Sequence, residues 1–280
     1  MEKLSADFWL TSISQSKKIF MVASSLTIIV LLMVIGWYKY LNQPNFQISG
    51  APPYGESESE IPPLTSWEEI RRHWVRPSGP PKVALQVGHL DNDEVPEELK
   101  NIRGNTGAMA AGYTEVEVNQ IIANLTAHLL KEKGVVVEIL PATIPPDYWA
   151  DVFIAIHADG SLDTATSGYK MAAPWRDLTG KANQLVSKLE ESYGAATNLV
   201  KDDNITRNMR GYYAFAWWRY EHSLHPMTTA AIVETGFLTN PQDRRLIVDQ
   251  PELSAKAIAD GIMEFLSEED LLVHADSASG

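Results

Sequence analysis

Between residues 82 and 268 the chain alternates between short, almost wholly apolar runs and longer amphipathic stretches. Runs that are apolar on both faces are typical of strands in a parallel sheet that is covered on both sides. The predicted strands are KVALQVG (82–88), VVVEIL (135–140), DVFIAI (151–156) and AAIVETG (230–236). The predicted helices are TEVEVNQIIANLTAHLLKEKG (114–134), GKANQLVSKLEESYG (180–194), NPQDRRLIVD (240–249) and PELSAKAIADGIMEFL (251–266). This alternation predicts a single three-layer α/β domain, 82–268, with a mostly parallel twisted sheet flanked by helices.

The N-terminal part of the chain contains a second constraint, the uncharged run from Ile19 to Gly36. A run of about 18 apolar residues is long enough to cross the core of a bilayer. A cleaved signal peptide is the alternative, but its apolar region would be shorter and a small-residue cleavage site would follow. We therefore predict an uncleaved transmembrane anchor at 19–38. Lysines are more frequent before this run than directly after it, so we expect residues 1–18 in the cytoplasm and the domain outside the cell membrane.

The segment 39–81 is rich in Pro, Gly and Ser and is predicted to be a flexible linker. Within it, SWEEIRRHW (66–74) has the pattern of a short helix, with Ser66 as the expected N-cap. The C-terminal residues 269–280 are acidic and then small, and they are predicted to form a frayed tail.

Composition excludes several classes of function. The formal net charge is −13, whereas a protein that binds nucleic acid needs a basic surface for the phosphates. The chain has no cysteine, which excludes disulfides, thiol nucleophiles and thiolate metal sites.

Three of the predicted strands end on polar side chains that suit a metal site. His89 follows the first strand, His157 the third and Glu234 the fourth. Ligands of open α/β sheets bind outside the carboxyl ends of the strands. A single histidine in such a place is more often part of a turn or a helix cap, but three such groups together favour a common site.

The first domain helix supplies a fourth candidate, Glu115. Its apolar stripe is predicted to contain Val118, Ile122, Leu125 and Leu129, with Ile121 alongside, and Glu115 lies on the same stripe. Glu117 points elsewhere and, three residues after Thr114, completes a capping box. Glu115 could instead be a carboxylate at the rim that interacts with the helix dipole. Two imidazoles and a carboxylate are a suitable ligand set for Zn²⁺ with one position open for water, and Glu234 could then act as a general base.

These residues closely resemble the zinc-dependent N-acetylmuramoyl-L-alanine amidases of the family-3 type, which remove peptide stems from peptidoglycan. The resemblance covers about Lys82 to Leu266 and is most specific in AIVETGFLTNPQD (231–243), ADVFIAIHAD (150–159) and GYTEVEVNQIIANLTAHLLKEKGVVV (112–137). It implies that His89, Glu115 and His157 bind zinc, that Asn119 is a partner of Glu115, and that Glu234 is the catalytic glutamate.

The chain departs from the family pattern at two places beside the implied zinc site. The family has an Asp-Pro-Gly-His-Gly run at the first ligand, whereas this chain reads QVGHL (86–90). The family has Asn two residues after the second histidine, where this chain has Asp159.

We therefore expect a membrane-anchored, exported zinc amidase that acts on peptidoglycan. One alternative is a domain that has lost catalysis and binds wall fragments or recruits a partner. Another is a zinc hydrolase of the same fold that cleaves a different amide. The sequence does not identify a protein activator.

Overall fold

The computed structural model describes residues 64–272. The predicted cytoplasmic segment 1–18, the predicted anchor 19–38 and the first part of the predicted linker lie outside these residues, as does most of the predicted tail. Within 64–272, no helix is both long and apolar enough to cross a membrane.

A mostly parallel sheet forms the centre of the domain, as the sequence predicts. In chain order the strands are β1 (Lys82–Val87), β2 (Met109–Ala110), β3 (Tyr113–Thr114), β4 (Val136–Leu140), β5 (Val152–Asp159), β6 (Lys170–Ala172) and β7 (Thr229–Phe237). β2 and β3 form a separate hairpin, and the other five strands form one sheet in the order β4-β1-β5-β7-β6. Only β6, which the sequence did not predict, pairs in the antiparallel direction within this sheet.

The helices predicted from the sequence are present as α1 (Leu64–His73), α2 (Glu115–Glu132), α3 (Ala182–Thr197), α5 (Pro241–Asp249) and α6 (Pro251–Glu268). The single turn α4 (Arg207–Arg210) was not predicted. Buried residues of α2, α3 and α6 pack on one face of the sheet. The other face is covered by two 3-10 helices, Glu97–Ile102 and Tyr213–Phe215, and by the loops around them.

The first domain helix, α2, begins as predicted but buries a slightly different face. Thr114 and Glu117 form the predicted capping box, in which each side chain bonds the backbone N–H of the other residue. Ile121, which was predicted beside the apolar stripe, is 49% exposed, and Leu130 is buried in the core instead. The helix period alone does not show how much of the α2 surface the sheet and α6 cover. The prediction that Ile121 lies beside the buried stripe was therefore wrong.

The segment before β1 docks on the amino ends of the strands, the edge opposite to the candidate site residues. The Arg76 guanidinium makes two hydrogen bonds to the Asp151 carboxylate, 2.6 and 2.8 Å long, directly before β5. The Trp74 ring packs against Trp149, with ring centroids 5.8 Å apart. The predicted helix is present as α1, but Ser66 lies inside its first turn, so the expectation that Ser66 is the N-cap is wrong.

Candidate metal centre and catalytic carboxylate

Four side chains that the sequence singled out meet at one end of the sheet. His89 follows β1, His157 lies in β5, Glu234 lies in β7, and Glu115 is the first residue of α2. In the parallel pairing of β5 with β7, His157 is directly opposite Glu234, so the two side chains emerge next to each other. The expectation that the strands end at these residues is wrong. β5 and β7 continue to Asp159 and Phe237, because the two strands still pair beyond the site.

Glu115 is the centre of the cluster. One ligand atom from each of His89, Glu115 and His157 can be chosen so that all three lie within 4.8 Å of one another. The Glu115 Oε1 atom lies 3.3 Å from His89 Nε2 and 2.9 Å from His157 Nδ1. Burial raises the pKa of the Glu115 carboxyl, but the two imidazoles outweigh this effect and hold that pKa well below its usual range. Glu115 is therefore an anion at neutral pH.

Backbone groups of the surrounding loop fix the Glu115 carboxylate and the His89 ring. The Ala108 N–H donates to Glu115 Oε2 at 2.7 Å, and the Asn119 amide lies 3.4 Å from Oε1. His89 Nδ1 is 2.8 Å from the Asn105 carbonyl, which requires a ring proton on Nδ1, so in the neutral ring the lone pair is on Nε2. A backbone carbonyl on the far nitrogen is the usual support of a metal-binding histidine.

The backbone leaves room for these side chains only because two glycines lack a Cβ. A Cβ on Gly88 would lie 2.8 Å from His157 Nε2, and one on Gly107 would lie 2.8 Å from His89 Cδ2. His89 itself has a φ of 66°, in the left-handed region that is unfavourable for a residue with a side chain. Such strained residues cluster at ligand sites, where the surrounding structure holds them in place.

The donor set of the cluster fits a zinc ion. The Nε2 atoms of His89 and His157 are buried and have no hydrogen-bond partner among residues 64–272. A buried polar atom without a partner carries a free-energy cost that a bound cation would remove. Two imidazoles and one carboxylate are also a ligand set found in catalytic zinc sites.

The two glutamates at the start of α2, Glu115 and Glu117, have different surroundings, as predicted. Glu115 is 1% exposed and points into the cluster. Glu117 is exposed, and its carboxylate accepts hydrogen bonds from the backbone and the hydroxyl of Thr114. The alternative that Glu115 is a carboxylate at the rim of the domain is therefore wrong.

Glu234 lies in the interior of the domain. β7 continues through Thr235 and Gly236, and Glu234 is only 2% exposed. Its Oε2 atom has no hydrogen-bond partner in the described part of the chain. Burial, together with the charges of Asp159 and Glu115, raises the pKa of the Glu234 carboxyl well above its usual range, and the charge of Lys170 opposes this shift.

Lys170 is a residue of this region that the sequence analysis missed. It lies directly opposite Glu234 in the antiparallel pairing of β6 with β7. Its ammonium is 2.6 Å from Asp159 Oδ2 and 3.3 Å from Asp202 Oδ2, and it lies 4.8 Å from the centre of the Phe237 ring. Burial lowers the pKa of the Lys170 ammonium, but the carboxylates raise it more, so Lys170 is charged. The charge of Asp159, at the position where the family has Asn, is thus balanced. A lysine within the apolar run YKMAA (169–173) was the available signal.

Comparison with known proteins gives the family of the chain. The family profile of the N-acetylmuramoyl-L-alanine amidases matches residues 83–264. The chain belongs to this family. It is an enzyme of the amidase class, and peptidoglycan is the substrate of that class. The match confirms the resemblance, which was predicted for about 82–266. Among curated proteins no match is found.

Solved structures with a similar fold include one amidase and Cwp6, each with a TM-score of 0.50. The N-acetylmuramyl-L-alanine amidase Ami1 from Mycobacterium smegmatis is 18% identical, and the match covers 67% of this chain and 97% of that protein with a TM-score of 0.50. Cwp6 from Clostridium difficile is also 18% identical, with a TM-score of 0.50, over 67% of this chain and 30% of Cwp6. The catalytic domain of CwlV from Bacillus (Paenibacillus) polymyxa is 20% identical over 67% of this chain and 98% of that domain, with a TM-score of 0.47.

The Lys170 ion pairs generate a testable prediction. Lys170→Met leaves the partly buried carboxylates of Asp159 and Asp202 without their cation, so we expect a loss of about 3 kcal/mol in the free energy of unfolding in urea. Asp159→Asn added to Lys170→Met removes one of the unpaired charges and should recover part of that loss. Lys256→Met, which breaks an exposed pair with Asp260, is the control and should change little. Equal losses from Lys170→Met and Lys256→Met would contradict this interpretation.

Proposed function

We propose that the amidase cleaves the amide bond between N-acetylmuramic acid and L-alanine, with Zn²⁺ held by His89, Glu115 and His157 and with Glu234 as the general base. The observation that carries the proposal is that His89, Glu115 and His157 converge while the buried Nε2 atoms of both histidines lack a hydrogen-bond partner among residues 64–272. The family match supports the amide bond of peptidoglycan as the target.

The bound zinc would supply Lewis acidity, which polarises the substrate carbonyl and makes a water more acidic. Glu234 accepts the proton of the attacking water while the water adds to the carbonyl carbon. It then gives that proton to the nitrogen of L-alanine, which leaves as the amine when the C–N bond breaks. A raised pKa suits this second step, because the protonated Glu234 carboxyl is stable enough to exist between the two proton transfers.

The other site groups keep these reacting groups in place. The Asn105 carbonyl and the Ala108 N–H hold His89 and Glu115, so both ligands enter the site with their orientation set. Lys170 balances the charge of Asp159, which would otherwise act on the Glu234 carboxylate without compensation.

The ligand assignment is tested by a matched pair of isosteric variants on one helix. Glu115→Gln should lose most of the bound zinc, because an amide is a much weaker zinc ligand than a carboxylate. Glu117→Gln is the control. It keeps a capping side chain and should bind zinc as the unchanged protein does. Metal analysis of the purified proteins measures their zinc content. Added zinc should raise the melting temperature of the unchanged protein and of Glu117→Gln but not that of Glu115→Gln. Zinc loss in the Glu117 variant alone would mean that the wrong carboxylate was assigned.

The role of Glu234 is tested by Glu234→Gln, which keeps the size of the side chain but cannot take a proton. We expect near-normal zinc content and binding of wall fragments, while release of peptide stems from purified peptidoglycan falls by about 100-fold or more. If the unchanged protein binds fragments but releases nothing, it is a wall-binding domain without catalysis. If it binds zinc and hydrolyses only other amides, the substrate assignment is wrong.

We also propose that residues 19–38 anchor the enzyme in the cell membrane by a single span, with the N-terminus in the cytoplasm and the domain outside. The uncharged run and the distribution of lysines support this topology. A reporter that is active only outside the cytoplasm, fused after Gly280, should be active, and the protein should stay with the membranes at its full mass. A shorter protein that is recovered free of membranes would indicate a cleaved signal peptide instead.

A further inference from the structure

The first departure from the family pattern places Gln86 in a buried hydrogen-bond network. Gln86 is fully buried in β1, three residues before His89. Its Nε2 donates to the Ala142 carbonyl at 3.0 Å and to the Tyr213 hydroxyl at 2.7 Å, while its Oε1 accepts from the Tyr212 hydroxyl at 2.8 Å. The Ala142 carbonyl can only accept a hydrogen bond, so the NH2 group of the Gln86 side chain must face it. The Gln86 oxygen therefore has to face Tyr212, and the position of the Tyr212 hydroxyl is determined.

The Tyr212 ring connects this network to the candidate zinc site. Its centroid is 5.6 Å from that of the His157 ring, and the two planes meet at 80°, an edge-to-face contact. The His89 ring makes a similar contact with His157 at 5.1 Å and 84°. The backbone of Gly88 packs against the His157 ring, and Glu115 contacts its Nδ1 atom. His157 is therefore enclosed by rings, backbone and the Glu115 carboxylate.

We propose that Tyr212, held in place by Gln86, is a positioning residue that fixes the ring plane of His157 and so sets how tightly the site holds zinc. The proposal rests on the zinc site of the proposed function. A histidine binds zinc well only when its lone pair points at the ion. The hydrogen bond between His157 Nδ1 and Glu115 Oε1, 2.9 Å long, holds one side of the ring, and Nε2 has no hydrogen-bond partner among residues 64–272. The ring contacts add a restraint on the tilt of the ring plane, and Tyr212 supplies one of them from a position fixed by its bond to Gln86 in β1.

The neighbouring tyrosine offers a matched control. Tyr213 is also buried and also bonds Gln86, through its own hydroxyl. Its ring packs against Tyr212 and Tyr220, whereas the His157 ring contacts are with Tyr212 and His89. A variant of Tyr213 therefore disturbs the same buried network without removing a ring from beside a ligand.

The test compares the zinc dissociation constant, measured by competition with a chromophoric chelator, with the melting temperature of the metal-free protein. Tyr212→Leu should weaken zinc binding by about 10- to 100-fold, the usual effect of removing a group that orients a ligand. Tyr212→Phe keeps the ring and loses only the bond to Gln86, so the effect should be smaller. Tyr213→Phe should lower the melting temperature of the metal-free protein but leave zinc affinity within about twofold, because no ligand loses its ring contact.

Two results would overturn the proposal while the zinc site stands. One is unchanged zinc affinity in Tyr212→Leu. The other is a loss of zinc affinity in Tyr213→Phe as large as that in Tyr212→Leu, which would show a general loss of packing rather than positioning of His157. If the unchanged protein binds no zinc, the proposed zinc site fails and the positioning role fails with it.

Discussion

The arrangement of the site depends on one buried carboxylate. Glu115 is 1% exposed, and such an anion is stable in the interior only if cations or hydrogen-bond donors surround it. The two strands bring His89 and His157 to it, and the loop before α2 adds the Ala108 N–H. Because α2 begins at Glu115, these contacts tie the first turn of the helix to the sheet at the site.

A second set of charges balances the opposite side of the cluster. Asp159 adds a negative charge beside Glu234, and Lys170 from the edge strand β6 compensates it. The pair also holds the segment around Asp202 against the site, since the same ammonium contacts both carboxylates. The two departures from the family pattern are thus accommodated by different means. Gln86 is satisfied by two tyrosines, whereas Asp159 is satisfied by a cation.

The residues predicted correctly are those whose position follows from a local period. The 3.6-residue period of α2 places Glu115 on the buried face, and the spacing from Thr114 makes Glu117 a capping residue. The errors concern features that depend on neighbours. The strands continue past His157 and Glu234 because β5 and β7 still pair there, and Ile121 is exposed because the core does not extend to it.

The sequence by itself determined the alternation of strands and helices, the mostly parallel sheet and the four residues at its end, because apolar periodicity and capping act over a few residues. Only the tertiary structure decided the burial of Glu234, the partner of Asp159 and the contact between Tyr212 and His157. Lys170 and Tyr212 lie far along the chain from His89 and Glu115. Such contacts are set by the order of the strands and by how the loops between them pack, and no local pattern in the sequence encodes that order.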